Sequence, residues 1–150
     1  VIVCVPYTVR FLHRNTLPAI AQIGFPMLVC PITPSHSYLA WFDYWWHSYK
    51  TGFMIVEHDV EIILGGRTVL EEFNDCAEPW CVSPYNDNQL LGCSKFVPKS
   101  LAINWSVVKD RTQEGWKGLD MGVSKALRGY GYRPHVHPRG TIHHRTRHEQ

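Results

Sequence analysis

A chain of 150 residues holds one hydrophobic core rather than two, and 45% apolar with 19% charged residues exclude a disordered polymer. A formal net charge of +2 lays down no broad basic footprint for nucleic acid, and no apolar run approaches the roughly 18 residues of a membrane span. Five cysteines, an odd number at irregular spacing, do not form a disulfide framework and are expected as reduced thiols in a cytoplasmic protein.

Residues 1–5 form a continuous β-branched run, the mark of a buried central strand, and the chain opens at Val1 without Met, so the native start need not be Val1. Pro6, Tyr7 and Thr8 turn the chain out of that strand, and Arg10 follows. A helix comes next, with Leu12, Thr16, Ala19, Ile20 and Ile23 on one stripe. Pro18 requires it to start near Asn15, and Gly24 is a C-terminal stop. Residues 27–30 are a second strand, closed by Pro31 and Pro34. Ser35 or Ser37 caps the next helix, whose Leu39, Phe42, Trp46 and Tyr49 recur at helical spacing. Tyr38, Trp41, Tyr44 and Trp45 lie on its other faces, which is the composition of a helix buried on most sides.

Gly52 then leads into Phe53, Met54, Ile55 and Val56, a second fully apolar strand that stops abruptly in acid at Glu57, His58 and Asp59. If the backbone stays extended, Glu57 and Asp59 share a face and His58 takes the other. Two carboxylates with no neighbouring cation repel each other, and a hard divalent metal relieves that repulsion. A solvated strand end is the competing reading. The mouth of a core strand in an open α/β sheet is, however, where ligands bind. Up to this point the order is β-α-β-α-β, the first half of a doubly wound sheet.

The second half is less regular. Gly65 and Gly66 precede a helix with Val69, Leu70, Phe73 and Ala77 inward, and residues 79–85 read as an edge strand bracketed by prolines. Cys76 and Cys81 give only a weak zinc signal, because no second cysteine pair stands beside them. Residues 86–88 are a loop and 90–96 another short strand. Pro98 opens a helix with Leu101, Trp105 and Val108 on one face. The last helix carries Leu119, Val123, Ala126, Leu127 and Tyr130 on one stripe and ends at Gly129 and Gly131. Beyond it lie His135, His137, His143, His144 and His148 with Arg133, Arg139, Arg145 and Arg147, a mixture of metal-ligating and phosphate-seeking side chains. A basic tail is the competing reading from Arg145 onward.

This ordered set resembles the GT-A glycosyltransferases, especially the family-2 type that uses nucleotide-diphosphate sugars. Residues 1–8 resemble that family's first strand and nucleotide-contacting turn, and residues 53–59 the strand ending in its D-x-D motif, here Glu57-His58-Asp59. Residues 91–96 with 98–101 are similar to the acceptor-side strand and helix. Gly118-Leu119-Asp120 and residues 127–132 resemble the E-D motif and the helix that ends in an aromatic-flanked glycine. Pro138 followed by His143 or His144 resembles the closing strand, whose histidine completes the metal site. Glu57 stands where the family has its first Asp, Leu119 where it has Glu, and the second strand lacks the acidic residue that reads the base.

The resemblance implies an α/β domain over residues 1–150, GT-A-type and Rossmann-like, with a mixed, mostly parallel sheet and helices on both faces. It implies transfer of a sugar from a nucleotide-diphosphate donor to an acceptor hydroxyl with Mn²⁺ or Mg²⁺. Pro6, Tyr7, Thr8, Arg10, Glu57 and His58 would face the donor, and Asp59, Glu57, His143 and His144 would supply metal ligands. Asp120 would be the base of an inverting displacement, with Asp87 behind it. The chain is short for such a fold, so the acceptor side is sparse or comes from a partner, a second copy included. Two other readings use the same residues: a metal-dependent phosphoryl or phosphodiester hydrolase, and a non-catalytic nucleotide-sugar binder on a degenerate scaffold.

Overall fold

The computed structural model describes residues 1–84, 89–113, 115–137 and 140–144. Six strands form one sheet in the order β2-β1-β3-β6-β5-β7: β1 (Ile2–Tyr7), β2 (Met27–Pro31), β3 (Phe53–Val56), β5 (Trp80–Val82), β6 (Cys93–Phe96) and β7 (His135–Val136). β1 runs parallel to both β2 and β3, β6 is antiparallel to β3 and β5, and β7 is parallel to β5. The sheet is therefore mixed and mostly parallel, as an α/β protein requires.

Alternation along the strands divides the core in two. Cys4, Phe53, Ile55, Trp80, Val82 and Phe96 face α2 (Tyr38–Ser48) and α5 (Trp116–Gly129). Val3, Val5, Met54, Val56, Cys81 and Cys93 face α1 (Thr16–Ile23) and α3 (Val69–Asp75). Helices thus cover both faces. The aromatic density of α2 is core: Tyr38, Phe42 and Trp45 are at most 1% exposed, and Phe42 meets Phe53 and Phe96 edge-on at 5.9 and 5.3 Å.

The helix ends follow local chemistry. Ser37 caps α2 by accepting from the Ala40 N–H, and Thr68 with Glu71 closes a capping box on α3. Gly24 ends α1 in the left-handed region at φ +94°. Lys95, 3% exposed, donates its Nζ to the carbonyls of Phe73 and Cys76 at 2.8 and 2.6 Å. A buried ammonium is tolerable there because the carboxyl end of α3 offers carbonyl lone pairs and negative dipole.

Several expectations need correction. β5 is not an edge strand, because β7 pairs with its outer side. Ala77 lies past the end of α3 and is exposed, since that helix is over by Asp75. The helix expected from Pro98 is two pieces: a single 3-10 turn at Pro98–Ser100, and α4 (Trp105–Arg111), which Asn104 caps by accepting from the Ser106 N–H. A strand absent from the sequence reading, β4 (Val60–Ile62), pairs antiparallel with β8 (Thr141–His143) in a separate two-stranded sheet. All five cysteines are free thiols. No helix among the described residues is long and apolar enough to cross a membrane.

Candidate functional site

The acidic stretch after β3 is a turn, not a continuing strand. The Val60 N–H returns to the Glu57 carbonyl at 3.0 Å, which overturns the same-face argument for Glu57 and Asp59. Each residue of the turn is held from a different element. The Glu57 N–H bonds the Gly92 carbonyl, and the His58 carbonyl accepts from the His13 N–H and the Thr16 hydroxyl, at 2.7 and 3.1 Å. The Asp59 carbonyl accepts from the His144 N–H at 2.8 Å. All three side chains are buried, at 4%, 0% and 0% exposure. Buried polar groups held on every side are a pre-organised site or a costly irregularity of the fold.

The three side chains diverge. Glu57 Oε2 accepts from the Tyr38 hydroxyl at 2.8 Å, which ties it to the first turn of α2. The His58 Nδ1 accepts from the Thr8 N–H at 3.0 Å, so its neutral ring carries the proton on Nε2. Its ring stacks on Trp116, the first residue of α5, at 4.3 Å, and Trp116 meets Tyr38 edge-on at 4.8 Å. Asp59 Oδ2 lies 3.1 Å from His143 Nε2, a contact across 84 residues of chain. The β4–β8 pairing creates that contact by setting His143 opposite Val60.

The Asp59–His143 spacing bears directly on metal binding. Two donors at right angles around an ion, each about 2.1 Å away, stand roughly 3 Å apart. A carboxylate and an imidazole are also what Mn²⁺ and similar ions accept. Asp59 and His143 thus offer two donors of the kind such an ion takes, and the three-donor groups among the described residues include neither of them. Glu57 is in a different position, because its carboxylate is engaged by Tyr38.

His144, the other expected ligand, meets a carboxylate the sequence reading did not single out. Its Nε2 is 2.9 Å from Glu61 Oε1, which also accepts from the Asn15 side chain at 3.2 Å. Those contacts, His144 before Asn15, hold Glu61 below the usual carboxylate range. His13, also missed, stacks on His144 with ring centroids 3.5 Å apart and planes 4° from parallel. Burial first, and His144 second, hold His13 below the ordinary imidazole value. His13, Glu61 and His144 bring donor atoms within 4.8 Å of one another. Stacked parallel rings aim their in-plane lone pairs along separate planes, so they do not share one ion unless a ring turns. The signal for Glu61 was present in the alternation of acids at 57, 59 and 61. His13 carried none.

On the amino-terminal side, Pro6 is buried, Tyr7 and Thr8 are half-buried, and Arg10 is exposed with its guanidinium 5.5 Å above the Phe11 ring. Asp120 sits in the second turn of α5, past the cap position, and is 4% exposed. Its two oxygens accept the backbone N–H groups of Leu90 and Leu91 at 3.0 and 3.1 Å. Burial raises its pKa to about 6 against the opposing pull of those two bonds. The carboxylate retains further lone pairs, and a proton affinity in that range suits a general base near neutrality. Asp87, Pro138, Arg139, Arg145, Arg147 and His148 lie outside the described residues. Comparison with protein-family models, curated proteins and solved structures found no match for this chain.

Proposed function

We propose that this protein transfers a sugar from a nucleotide-diphosphate donor to an acceptor hydroxyl, with a divalent metal and with inversion at the anomeric carbon, on a GT-A-type scaffold. The observation that carries the reading is the meeting of Asp59 and His143 at 3.1 Å across 84 residues. It brings the acidic end of β3 and the closing strand together, beside the turn after β1 that the Thr8–His58 bond fixes. These are the segments in which the sequence resembles that family.

In this reading Asp59 and His143 would hold Mn²⁺ or Mg²⁺, which would supply positive charge for the departing nucleotide diphosphate. The rest is work for the chain. Arg10, exposed at the mouth of β1, meets phosphate oxygens. The half-buried Trp116 ring meets the donor, and the buried His58 and Tyr38 rings, with Glu57 bonded to Tyr38, hold that ring in place. Asp120 is ionised above about pH 6 and takes the acceptor hydroxyl proton on a free carboxylate lone pair. The acceptor is a glycan, lipid, protein or modified nucleic acid bearing a hydroxyl, bound by this chain or with a second copy's help.

The test is calorimetric titration of nucleoside diphosphates and their sugars, with and without Mn²⁺, into the parent and Asp59→Asn. An amide cannot supply the carboxylate charge the ion needs. Metal-dependent binding of one donor is expected in the parent and its loss in the folded variant. Equal affinity in both removes Asp59 from the site. Phosphate release from a nucleotide or polynucleotide without any sugar donor replaces the transferase reading with a hydrolase.

A further inference from the structure

On the face of the sheet away from α2, a second group of donors gathers from two elements. Cys76 caps the carboxyl end of α3, and His135 and His137 lie along β7 and just past it, two residues apart and so on one face. Their Sγ and ring-nitrogen atoms all lie within 4.8 Å of one another. We propose that Cys76, His135 and His137 bind Zn²⁺ in a three-ligand site that fastens β7 to α3, with water in the fourth position.

The state of His137 is what lifts this above a chance cluster. Its ring is 9% exposed, and its Nε2 is buried with no hydrogen-bond partner among the described residues. A buried ring nitrogen without a partner is costly unless something absent from the protein atoms occupies it. Its other nitrogen, Nδ1, lies 3.5 Å from Glu72 Oε2, one turn earlier on α3. Metal-bound histidines ordinarily turn their second nitrogen to a carboxylate in this way, which fixes the ring and the tautomer. Phe73 packs edge-on to the same ring at 5.1 Å and closes one side.

The donor set selects the ion. One thiolate and two imidazoles suit zinc, and they differ from the carboxylate–imidazole pair at Asp59 and His143. Cys81, register partner of His135, stays outside the group, with its Sγ 3.7 Å from the Glu78 carbonyl. Lys95 pins the Cys76 backbone through its carbonyl, so the thiol is presented from a fixed point. The need is visible too. β7 is two residues long and exposed along its length, so apolar burial contributes little to holding it. A metal bond supplies folding free energy where burial does not.

Cobalt(II) titration of the reduced full chain separates this site from the other, because only a thiolate gives cobalt a near-ultraviolet charge-transfer band. The parent is expected to develop that band and tetrahedral visible absorption at one equivalent, and one equivalent of Zn²⁺ should bleach both. His135→Gln, at an exposed position, and Cys76→Ser should each abolish the band while circular dichroism stays that of a folded chain. Cys81→Ala should retain it, and Glu72→Gln should weaken cobalt affinity roughly 10–100-fold. Absence of the band in the parent at excess cobalt, or its survival in Cys76→Ser, overturns the proposal. Asp59→Asn should leave the band unchanged, so failure of the transferase reading and failure of this one are separately visible.

Discussion

Asp120 makes a prediction in which stability and chemistry separate. The folded carboxyl titrates near 6 against an ordinary 3.8, so the native state binds a proton more tightly than the unfolded chain between those values. The stabilising contribution of that proton is complete below about pH 4 and is lost as pH rises through 6, a change of about 3 kcal/mol. Asp120→Asn removes the titration and has its own cost. Its single amide oxygen accepts from either Leu90 or Leu91, and the other buried N–H loses its partner, at about 1–3 kcal/mol. At pH 4 the variant should therefore be less stable than the parent by that amount. At pH 8 the two should be level, or the variant slightly ahead. Denaturant melts at a series of pH values measure the difference between the two curves, which cancels every other carboxylate. A swing of about 3 kcal/mol corresponds to roughly 6–12 °C in melting temperature for a domain of this size. Parallel curves from pH 4 to 8 would refute the buried-carboxylate argument. Turnover measured on the same protein tests the chemistry: loss of a general base lowers it by roughly 10²- to 10⁴-fold while donor affinity holds. Unchanged turnover per folded molecule leaves Asp120 as an anchor for the Leu90–Leu91 backbone and nothing more.

The two closing histidines should behave differently. His143→Gln is expected to weaken Mn²⁺ binding by more than the roughly 10–100-fold that outer hydrogen-bond partners carry, whereas His144→Gln, whose ring meets Glu61, should change it little. Equal losses in both variants, by manganese titration, would mean that the two imidazoles share one ion. Gly140 gives a steric test of the same strand: an added Cβ would stand 2.7 Å from the Val69 Cβ. Gly140→Ala should therefore cost about 1–3 kcal/mol in a denaturant melt and loosen manganese binding by displacing β8. A melt coincident with the parent's would show that α3 and β8 part without strain.

The β-α-β-α-β half was legible because each element carries an unambiguous period and its own stop. The β-branched run of β1, the Gly24 cap and the Ser37 cap place boundaries to within a residue or two. The second half was harder because its elements are short and take their identity from partners. β4 exists only through β8, whose His143 pairs with Val60 83 positions earlier (143 − 60), and three residues of mixed character announce no strand by themselves. β5 looked like an edge because prolines flank it, yet β7 covers it, and two exposed residues of β7 give no periodic signal. At the site, the resemblance sets Asp59 beside His143 or His144, and it is the His143 ring that meets the Asp59 carboxylate. The extended-chain argument failed at Glu57 because the Val60 N–H turns back on it. Tyr38 as the partner of Glu57 could not be read from an aromatic-rich helix in which every ring looks like core.

The distance along the chain between Asp59 and His143 also sets a schedule. A ribosome delivers the histidine 84 residues after the aspartate, which at roughly 5–20 residues per second is about 4–17 s of synthesis. Throughout that interval β1, β2 and β3 can assemble, since their contacts lie among residues already made. Closing so long a loop carries an entropy cost of about 4 kcal/mol for a flexible chain, and the prior growth of the sheet meets much of it. The β1–β2–β3 sheet can therefore precede the residues that would complete the proposed metal site. On that reading ion capture would be a late event in biogenesis, and a translation product that stops before β8 would lack it.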